Sequence, residues 1–212
     1  MPARDEEKQA RAKILAVPSA SNWPSNWYAI VGGPSSGKTT VLRELERRGF
    51  RIVDEVARGI LERELAKGRQ PAEVRKDDIA FQVEIFQTKL RRDPFLPRQE
   101  LMFFDTGLPD GVAYLLASGV ISKISDAEHP GFEITEAREV MRKAREIKYK
   151  KVFLLEQLPY KYDGIRIEGE ENARKIGRSL RELYDFLGFE IVDVPAITPE
   201  KRVELILSHV ES

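Results

Sequence analysis

Short apolar runs alternate with longer amphipathic stretches along most of the chain. Five runs of about four residues have the length and the apolar character of buried strands, at residues 28–31, 51–54, 101–104, 152–155 and 189–192. Between them, apolar residues recur at intervals of three and four, which predicts helices. These helical stretches cover residues 41–48, 56–67, 79–93, 112–117, 137–144, 176–187 and 203–210.

The alternation of strands and helices predicts an α/β fold. Its centre is a parallel five-stranded sheet with helices packed on both faces. In such folds the ligands bind outside the carboxyl ends of the strands. Residues that follow each apolar run are therefore the first candidates for a functional site.

The pattern Gly-x-x-x-x-Gly-Lys-Thr follows the first apolar run and precedes a helical stretch. A loop in this position surrounds a phosphate with backbone N–H groups, while its lysine reaches the β- and γ-phosphates and its hydroxyl binds Mg²⁺. We therefore predict the three-layer sandwich of P-loop NTPases, with Lys38 catalytic and Thr39 a metal ligand. The predicted nucleotide-binding residues are Gly32, Gly33, Pro34, Ser35, Ser36, Gly37, Lys38, Thr39 and Thr40. The alternative is a plain glycine turn between strand and helix.

Asp105 follows the third apolar run, in the position of the acid that holds Mg²⁺ in P-loop proteins. The alternative is an aspartate that caps the next helix, but Pro109 is suited to the first turn of that helix. The residue after the aspartate is Thr106, whereas motor-type ATPases place a carboxylate there to activate water. We therefore expect a phosphotransferase in which Asp105 is both a metal ligand and a catalytic residue.

The second apolar run ends at Asp54 and Glu55, one helical turn before Arg58. Phosphoryl transfer often uses a carboxylate that accepts or orients the proton of the acceptor hydroxyl. We assign this catalytic role to Glu55, with Arg58 beside it in substrate binding and Asp54 as the second choice. A surface ion pair between Glu55 and Arg58, of small energetic effect, is the alternative.

A polar, glycine-containing segment near residues 159–170 separates the fourth strand from the next helix. Segments of this kind act as lids that exclude water. Arg166 is predicted to be catalytic there, by neutralising the transferring phosphoryl group, with Arg174 and Arg178 assisting from the helix that follows. The alternative is a solvated loop with a surface arginine.

Composition narrows the range of partners. The 212 residues include 35 basic and 35 acidic side chains, so the formal net charge is zero and we expect no nucleic-acid partner. No apolar run is long enough to span a membrane. The lack of cysteine excludes disulfides and suits a reducing compartment, so we expect a cytoplasmic protein. Residues 1–26 form a charged extension and linker, and residues 27–212 form a single domain; the oligomeric state stays open.

The motifs together resemble a P-loop family known as the AAA domain, which includes nicotinamide-riboside-kinase-like proteins and a eukaryotic branch that binds GTP and phosphoinositides. The resemblance covers residues 28–210 and rests on residues 31–40, 55–58, 103–110 and 163–166. It implies ATP, with GTP possible, and Mg²⁺ as cofactors at Lys38, Thr39 and Asp105, and it makes Asp110 a candidate substrate contact. Related kinases often carry arginine after the strand-end aspartate, a phosphate contact that Thr106 does not provide.

Three functions are compatible with these residues. The first is a kinase that moves the γ-phosphate of ATP to the hydroxyl of a small, nucleoside-like acceptor. The second is a regulatory protein that hydrolyses nucleotide slowly and whose lid is ordered by the bound nucleotide. The third, a polynucleotide 5′-kinase, is disfavoured by the zero net charge. No Asn-Lys-x-Asp string is present to indicate guanine, so the base preference stays open.

Overall fold

The computed structural model describes residues 23–74, 78–119, 141–144, 146–159 and 169–210. Its strands are β1 (Trp23–Pro24), β2 (Trp27–Val31), β3 (Arg51–Val53), β4 (Met102–Asp105), β5 (Ile147–Lys148), β6 (Lys151–Leu155) and β7 (Ile191–Val194). Its helices, numbered over these residues, are α1 (Lys38–Arg47), α2 (Val56–Leu65), α3 (Pro71–Val74), α4 (Asp78–Arg92), α5 (Asp110–Ala117), α6 (Glu170–Phe186) and α7 (Pro199–Ser208).

The main sheet has five parallel strands in the order β3–β4–β2–β6–β7. The predicted α/β fold with a central parallel sheet is therefore confirmed. Strand β2 lies between β4 and β6, and the chain leaves it first toward one edge of the sheet and later toward the other. The carboxyl end of β2 is thus the switch point of the topology, where parallel α/β sheets bind their ligands.

Strand β2 is buried along its whole length, because it has neighbours on both sides and helices on both faces. Its side chains alternate between two apolar layers. One layer joins Trp27, Ala29 and Val31 to helices α4, α5 and α6, and the other joins Tyr28 and Ile30 to helices α1 and α7. The loop that follows β2 therefore starts from the most constrained backbone in the sheet.

The last strand begins two residues later than its apolar run predicts. Phe189 lies three residues beyond α6 and closes its C-terminal end, because its N–H donates to the Tyr184 carbonyl after Gly188 turns the chain at φ +75°. Its ring packs against Tyr184 and Tyr149 at centroid distances of 5.6 and 5.8 Å. The apolar run at this point therefore combines a helix terminus with the first half of a strand.

Three predicted segments lie wholly or mostly outside the described residues. These are the N-terminal extension, of which residues 23–26 are described, the helix at 137–144, of which residues 141–144 are described and are helical, and the lid near 159–170, of which residues 159, 169 and 170 are described. Trp23 and Pro24 pair with Ile147 and Lys148 in a small separate ladder, so the end of the predicted linker contacts the domain. No helix in the described part of the chain has both the length and the apolar character needed to cross a bilayer.

Candidate functional site

The loop between β2 and α1 has the backbone geometry of an anion site. Gly37, the residue before α1, has φ +88° in the left-handed region, and no side chain caps the helix. Ser35 also has a positive φ, of 63°, which is uncommon for a residue with a Cβ. Alternation between right- and left-handed residues turns successive N–H groups toward one point, and the uncapped helix adds its positive end. The backbone of the predicted phosphate loop therefore has the left-handed residues and the free helix end that an anion nest requires.

Two polar side chains of this loop are arranged for a ligand. The Lys38 ammonium folds back over the loop and donates to the carbonyls of Gly32 at 2.6 Å and Gly33 at 3.2 Å. The Ser36 hydroxyl is buried and has no hydrogen-bond partner among the described residues. Leaving a buried hydroxyl unpaired costs free energy, and such a group indicates a function or a missing ligand. A bound phosphate offers the loop the acceptors that it lacks.

Asp105 lies beside this loop at the end of β4, where it is paired in register with Ile30. Its Oδ1 is buried without a hydrogen-bond partner among the described residues. Burial, and then the negative charge of Glu55, raise the pKa of Asp105 to about 7. Pro109 is the residue that precedes α5, so Asp105 does not cap that helix. A nearby cation would stabilise the ionised form of this buried carboxyl, which has no hydrogen-bond partner among the described residues.

The residues present fit a magnesium ion. The Asp105 carboxylate and the Thr39 hydroxyl are the hard oxygen ligands that Mg²⁺ prefers. No group of three or more histidine, cysteine, aspartate or glutamate side chains in the described ranges is arranged to hold a metal by itself. Mg²⁺ commonly takes one or two protein oxygens together with substrate phosphates and water. The site therefore matches an ion that arrives with a nucleotide.

A cleft opens between the phosphate loop and helices α2, α4 and α5, and we call it the acceptor cleft. Glu55, Arg58 and Asp110 line it together with Lys38 and Thr39. Its apolar wall is formed by Ala57, Leu61, Leu65, Phe81 and Ile85. The structure thus lines one cavity with nine of the predicted site residues, which are Glu55, Arg58, Asp110 and residues 34–39 of the phosphate loop, and gives it an apolar surface suited to a ring.

Of the two carboxylates after β3, only Glu55 lines the acceptor cleft. Asp54 is exposed, and its carbonyl accepts a hydrogen bond from Arg92 at 2.8 Å. No ion pair joins Glu55 to Arg58 in the part of the chain that the structure describes. The two side chains therefore face the cavity without neutralising each other, which favours Glu55 over Asp54 as the acceptor-side carboxylate.

Lys89, which the sequence pattern did not single out, fixes the loop after β4. Its buried ammonium donates to the Thr106 hydroxyl at 2.8 Å, the Thr106 carbonyl at 3.3 Å and the Gly107 carbonyl at 2.6 Å. Thr106 has φ +69°, so these bonds support a strained backbone directly after Asp105. Burial lowers the pKa of Lys89, and the carboxylates of Asp110 and Asp93 oppose that effect. The sequence contained one signal for this role, because Lys89 lies one helical turn after Ile85 on an apolar helix face.

Asp110 has a structural partner as well as a place in the acceptor cleft. Its Oδ1 accepts a hydrogen bond from the Tyr184 hydroxyl, and burial raises the pKa of Asp110. Gly107 is required beside this pair, because a Cβ there would collide with the Tyr184 hydroxyl. The predicted substrate contact therefore has one oxygen already engaged by α6.

The arginines predicted to assist catalysis fall in two groups. Arg166 lies outside the described residues, while Arg174 and Arg178 are exposed on α6. These two line a second cleft with Gln157 and Pro195, on the side of the phosphate loop away from Glu55. We call it the donor cleft. Gly33 also lines it, so it is continuous with the phosphate loop.

The sequence model of a P-loop family described as the AAA domain matches residues 27–202. No curated protein sequence is similar enough to count as a relative. The structural comparison gives several similar folds. Deoxyadenosine kinase from M. mycoides with bound dATP superposes with a TM-score of 0.59 and 17% identity, over 88% of this chain and 100% of that one.

Two further structures share the fold. NadR protein in complex with NR has a TM-score of 0.56 and 15% identity, over 99% of this chain, which spans 60% of the NadR chain. Thymidylate kinase from Ehrlichia chaffeensis has a TM-score of 0.50 and 12% identity, over 90% of this chain and 98% of that one. At these identities the likeness is one of fold, and the fold is that of P-loop kinases.

Asp105→Asn is expected to remove part of the pH dependence of stability in the metal-free protein. Because the pKa of Asp105 is raised from 3.8 to about 7, the folded state keeps a proton that the unfolded state releases. The free energy of unfolding therefore falls between about pH 4 and about pH 7, by on the order of a few kcal/mol from this group. Urea unfolding across that range, with EDTA present, measures the slope. Asp54→Asn is the exposed control, and an unchanged slope in Asp105→Asn contradicts the assignment.

Lys89→Met is expected to destabilise the fold by about 3–5 kcal/mol, because it leaves buried acceptors and the Asp110 carboxylate without their cation. Lys67→Met, at an exposed lysine paired with Glu64, is the matched control and is expected to cost at most about 1 kcal/mol. Equilibrium unfolding in urea measures both. A Lys89→Met protein as stable as the control contradicts the structural role of the buried ammonium.

Proposed function

The chain belongs to the AAA domain family, and from that premise we propose that it is a magnesium-dependent phosphotransferase. It moves the γ-phosphate of a nucleoside triphosphate, ATP in the first instance, to a hydroxyl of a small nucleoside-like acceptor. The observation that carries the proposal is the position of Glu55 and Arg58 in a partly apolar cleft that shares Lys38 and Thr39 with the phosphate loop. A hydrolase needs no such cavity beside its phosphates.

The donor nucleotide lies across the switch point of the sheet. Its triphosphate occupies the nest of residues 32–40, where Lys38 exchanges its two carbonyl partners for phosphate oxygens. Its sugar and base extend into the donor cleft, since that cleft adjoins the loop at Gly33 and lies on the side away from Glu55. The planar guanidinium groups of Arg174 and Arg178 offer surfaces on which a base stacks. Nothing in this arrangement selects adenine over guanine.

The acceptor occupies the other cleft, with its hydroxyl near Glu55. The acceptor oxygen forms the new bond to the γ-phosphorus as the bond to the β-phosphate oxygen breaks, and its proton passes to the Glu55 carboxylate. Thr39 and Asp105 would hold Mg²⁺ beside the phosphates, where the bound ion would supply charge neutralisation. Arg58 orients the acceptor, and Arg166, which lies outside the described residues, is assigned from the sequence to neutralise the γ-phosphate. Catalysis then consists mainly of positioning and electrostatic stabilisation.

A nucleotide-dependent regulatory protein with slow hydrolysis is the second candidate. The observation in its favour is Thr106, which follows Asp105 and provides neither a carboxylate to activate water nor an arginine to contact phosphate. The two functions share the donor site and differ in the acceptor. A polynucleotide 5′-kinase is the least favoured of the three candidate functions, because the chain carries no net charge.

A panel of nucleosides and nucleoside-like alcohols, tested with Mg²⁺ and ATP, is expected to contain a compound that raises ADP release above the acceptor-free rate. Glu55→Gln is expected to lower that transfer about 100-fold or more while leaving ATP affinity within about twofold. Lys38→Ala is expected to abolish both transfer and tight ATP binding, since it removes the cation over the phosphates.

Asp54→Asn is the matched control for Glu55→Gln. It changes the neighbouring carboxylate, which is exposed and does not line the acceptor cleft, so it should leave transfer near the wild-type rate. Loss of transfer in Asp54→Asn with normal transfer in Glu55→Gln would reverse the assignment. Tight ATP binding with no turnover on any acceptor would favour the regulatory function.

A further inference from the structure

Arg202 on α7 is a buried cation that no part of the proposed reaction uses. Its side chain is 1% exposed, and the described residues place no carboxylate in an ion pair with it. Its partners are three backbone carbonyls. Nε donates to Pro195 at 2.8 Å, one terminal nitrogen donates to Ser36 at 2.5 Å, and the other donates to Glu156 at 3.0 Å.

The three carbonyls belong to three different loops. Ser36 is in the phosphate loop after β2, Glu156 directly follows β6, and Pro195 directly follows β7. These strands are neighbours in the sheet, so one planar guanidinium links the carboxyl ends of three adjacent strands. The rigid fork of an arginine can hold several acceptors in fixed directions, which the single ammonium of a lysine cannot do. The arrangement therefore fixes the loops relative to one another.

The bond to Ser36 has a direct consequence for the phosphate nest. A peptide unit is planar and trans, so its C=O and its N–H point in opposite directions. When Arg202 holds the Ser36 carbonyl, it turns the N–H of Gly37 away from α7. Gly37 is the left-handed residue directly before α1, and a Cβ at this position would lie 3.1 Å from an Arg202 terminal nitrogen. The guanidinium thus sets the orientation of an N–H at the centre of the nest.

The other two bonds extend this effect to the donor cleft. Glu156 and Pro195 both line that cleft, and the Glu156 carboxylate also accepts a hydrogen bond from the Ala196 N–H at 2.7 Å. Arg202 therefore couples the backbone of the phosphate loop to the two loops that line the donor cleft. The buried positive charge also lies directly behind the nest, where it attracts an anion.

We propose that Arg202 is a positioning residue for the donor nucleotide. It orients the Gly37 N–H for phosphate and keeps the phosphate nest in register with the loops at Glu156 and Pro195. The inference rests on the proposed binding of a nucleoside triphosphate at residues 32–40. Helix α7 thereby controls, through Arg202, how tightly the loop at residues 32–40 holds the phosphates.

The test compares Arg202→Met and Arg202→Lys with Lys201→Met, the exposed neighbour on the same helix. Calorimetric titration with Mg²⁺–ATP and with Mg²⁺–tripolyphosphate measures affinity. Arg202→Met is expected to weaken both ligands by about 10- to 100-fold, because the lost hydrogen bonds come from a charged donor. Arg202→Lys, which keeps the charge, is expected to show a smaller loss, and Lys201→Met should stay within about twofold of wild type.

A spectroscopic readout separates this role from a general loss of stability. In Arg202→Lys without ligand, the amide NMR signal of Gly37 is expected to shift. The amide signal of Gly49, a left-handed glycine with no atoms near its Cβ position, should not move. If Arg202→Met does not fold, Arg202→Lys provides both measurements.

The outcomes distinguish this inference from the proposed function. If the wild-type protein binds neither Mg²⁺–ATP nor Mg²⁺–tripolyphosphate, the proposed function and the inference both fail. If the wild type binds and a folded Arg202→Met or Arg202→Lys variant binds within about twofold of it, only the inference is overturned. An unmoved Gly37 amide signal in Arg202→Lys overturns it as well.

Discussion

The proposed function depends on one feature, a loop whose backbone N–H groups can converge on a single anion. The convergence depends on left-handed residues at Ser35 and Gly37 and on a helix that begins without a side-chain cap. Such a loop is not stable in isolation. Strand β2, which is fully buried, anchors the start of the loop, and hydrogen bonds from residues outside the loop hold the remaining loop residues.

Two buried cations support the carboxyl edge of the sheet from opposite sides. Lys89 holds the strained backbone at Thr106 and Gly107 on the acceptor side, and Arg202 holds three loop carbonyls on the donor side. Burying a charge is costly unless hydrogen bonds compensate it. Each of these cations is compensated mainly by backbone carbonyls, so its role is to fix the path of the chain.

The sequence was sufficient to predict what depends on local pattern. The strands, most helices, the phosphate loop and the order of polar residues after each strand could be predicted, because apolar periodicity and glycine placement are local signals. The sequence could not predict the structural roles of three residues, Lys89, Tyr184 and Arg202. Their roles come from contacts between residues far apart in the chain, such as the 166-residue separation between Ser36 and Arg202. Phe189 was misassigned because an apolar residue suits a helix end as well as a strand.

The central claim is that residues 32–40 bind the triphosphate of a nucleotide together with Mg²⁺. Isothermal titration calorimetry of the folded wild-type protein, with ATP and with GTP in the presence of Mg²⁺, tests it most directly. At least one of the two nucleotides is expected to give a saturable heat that disappears in Lys38→Ala. Well-folded protein that gives no heat with either purine triphosphate would show that this loop is not a nucleotide site.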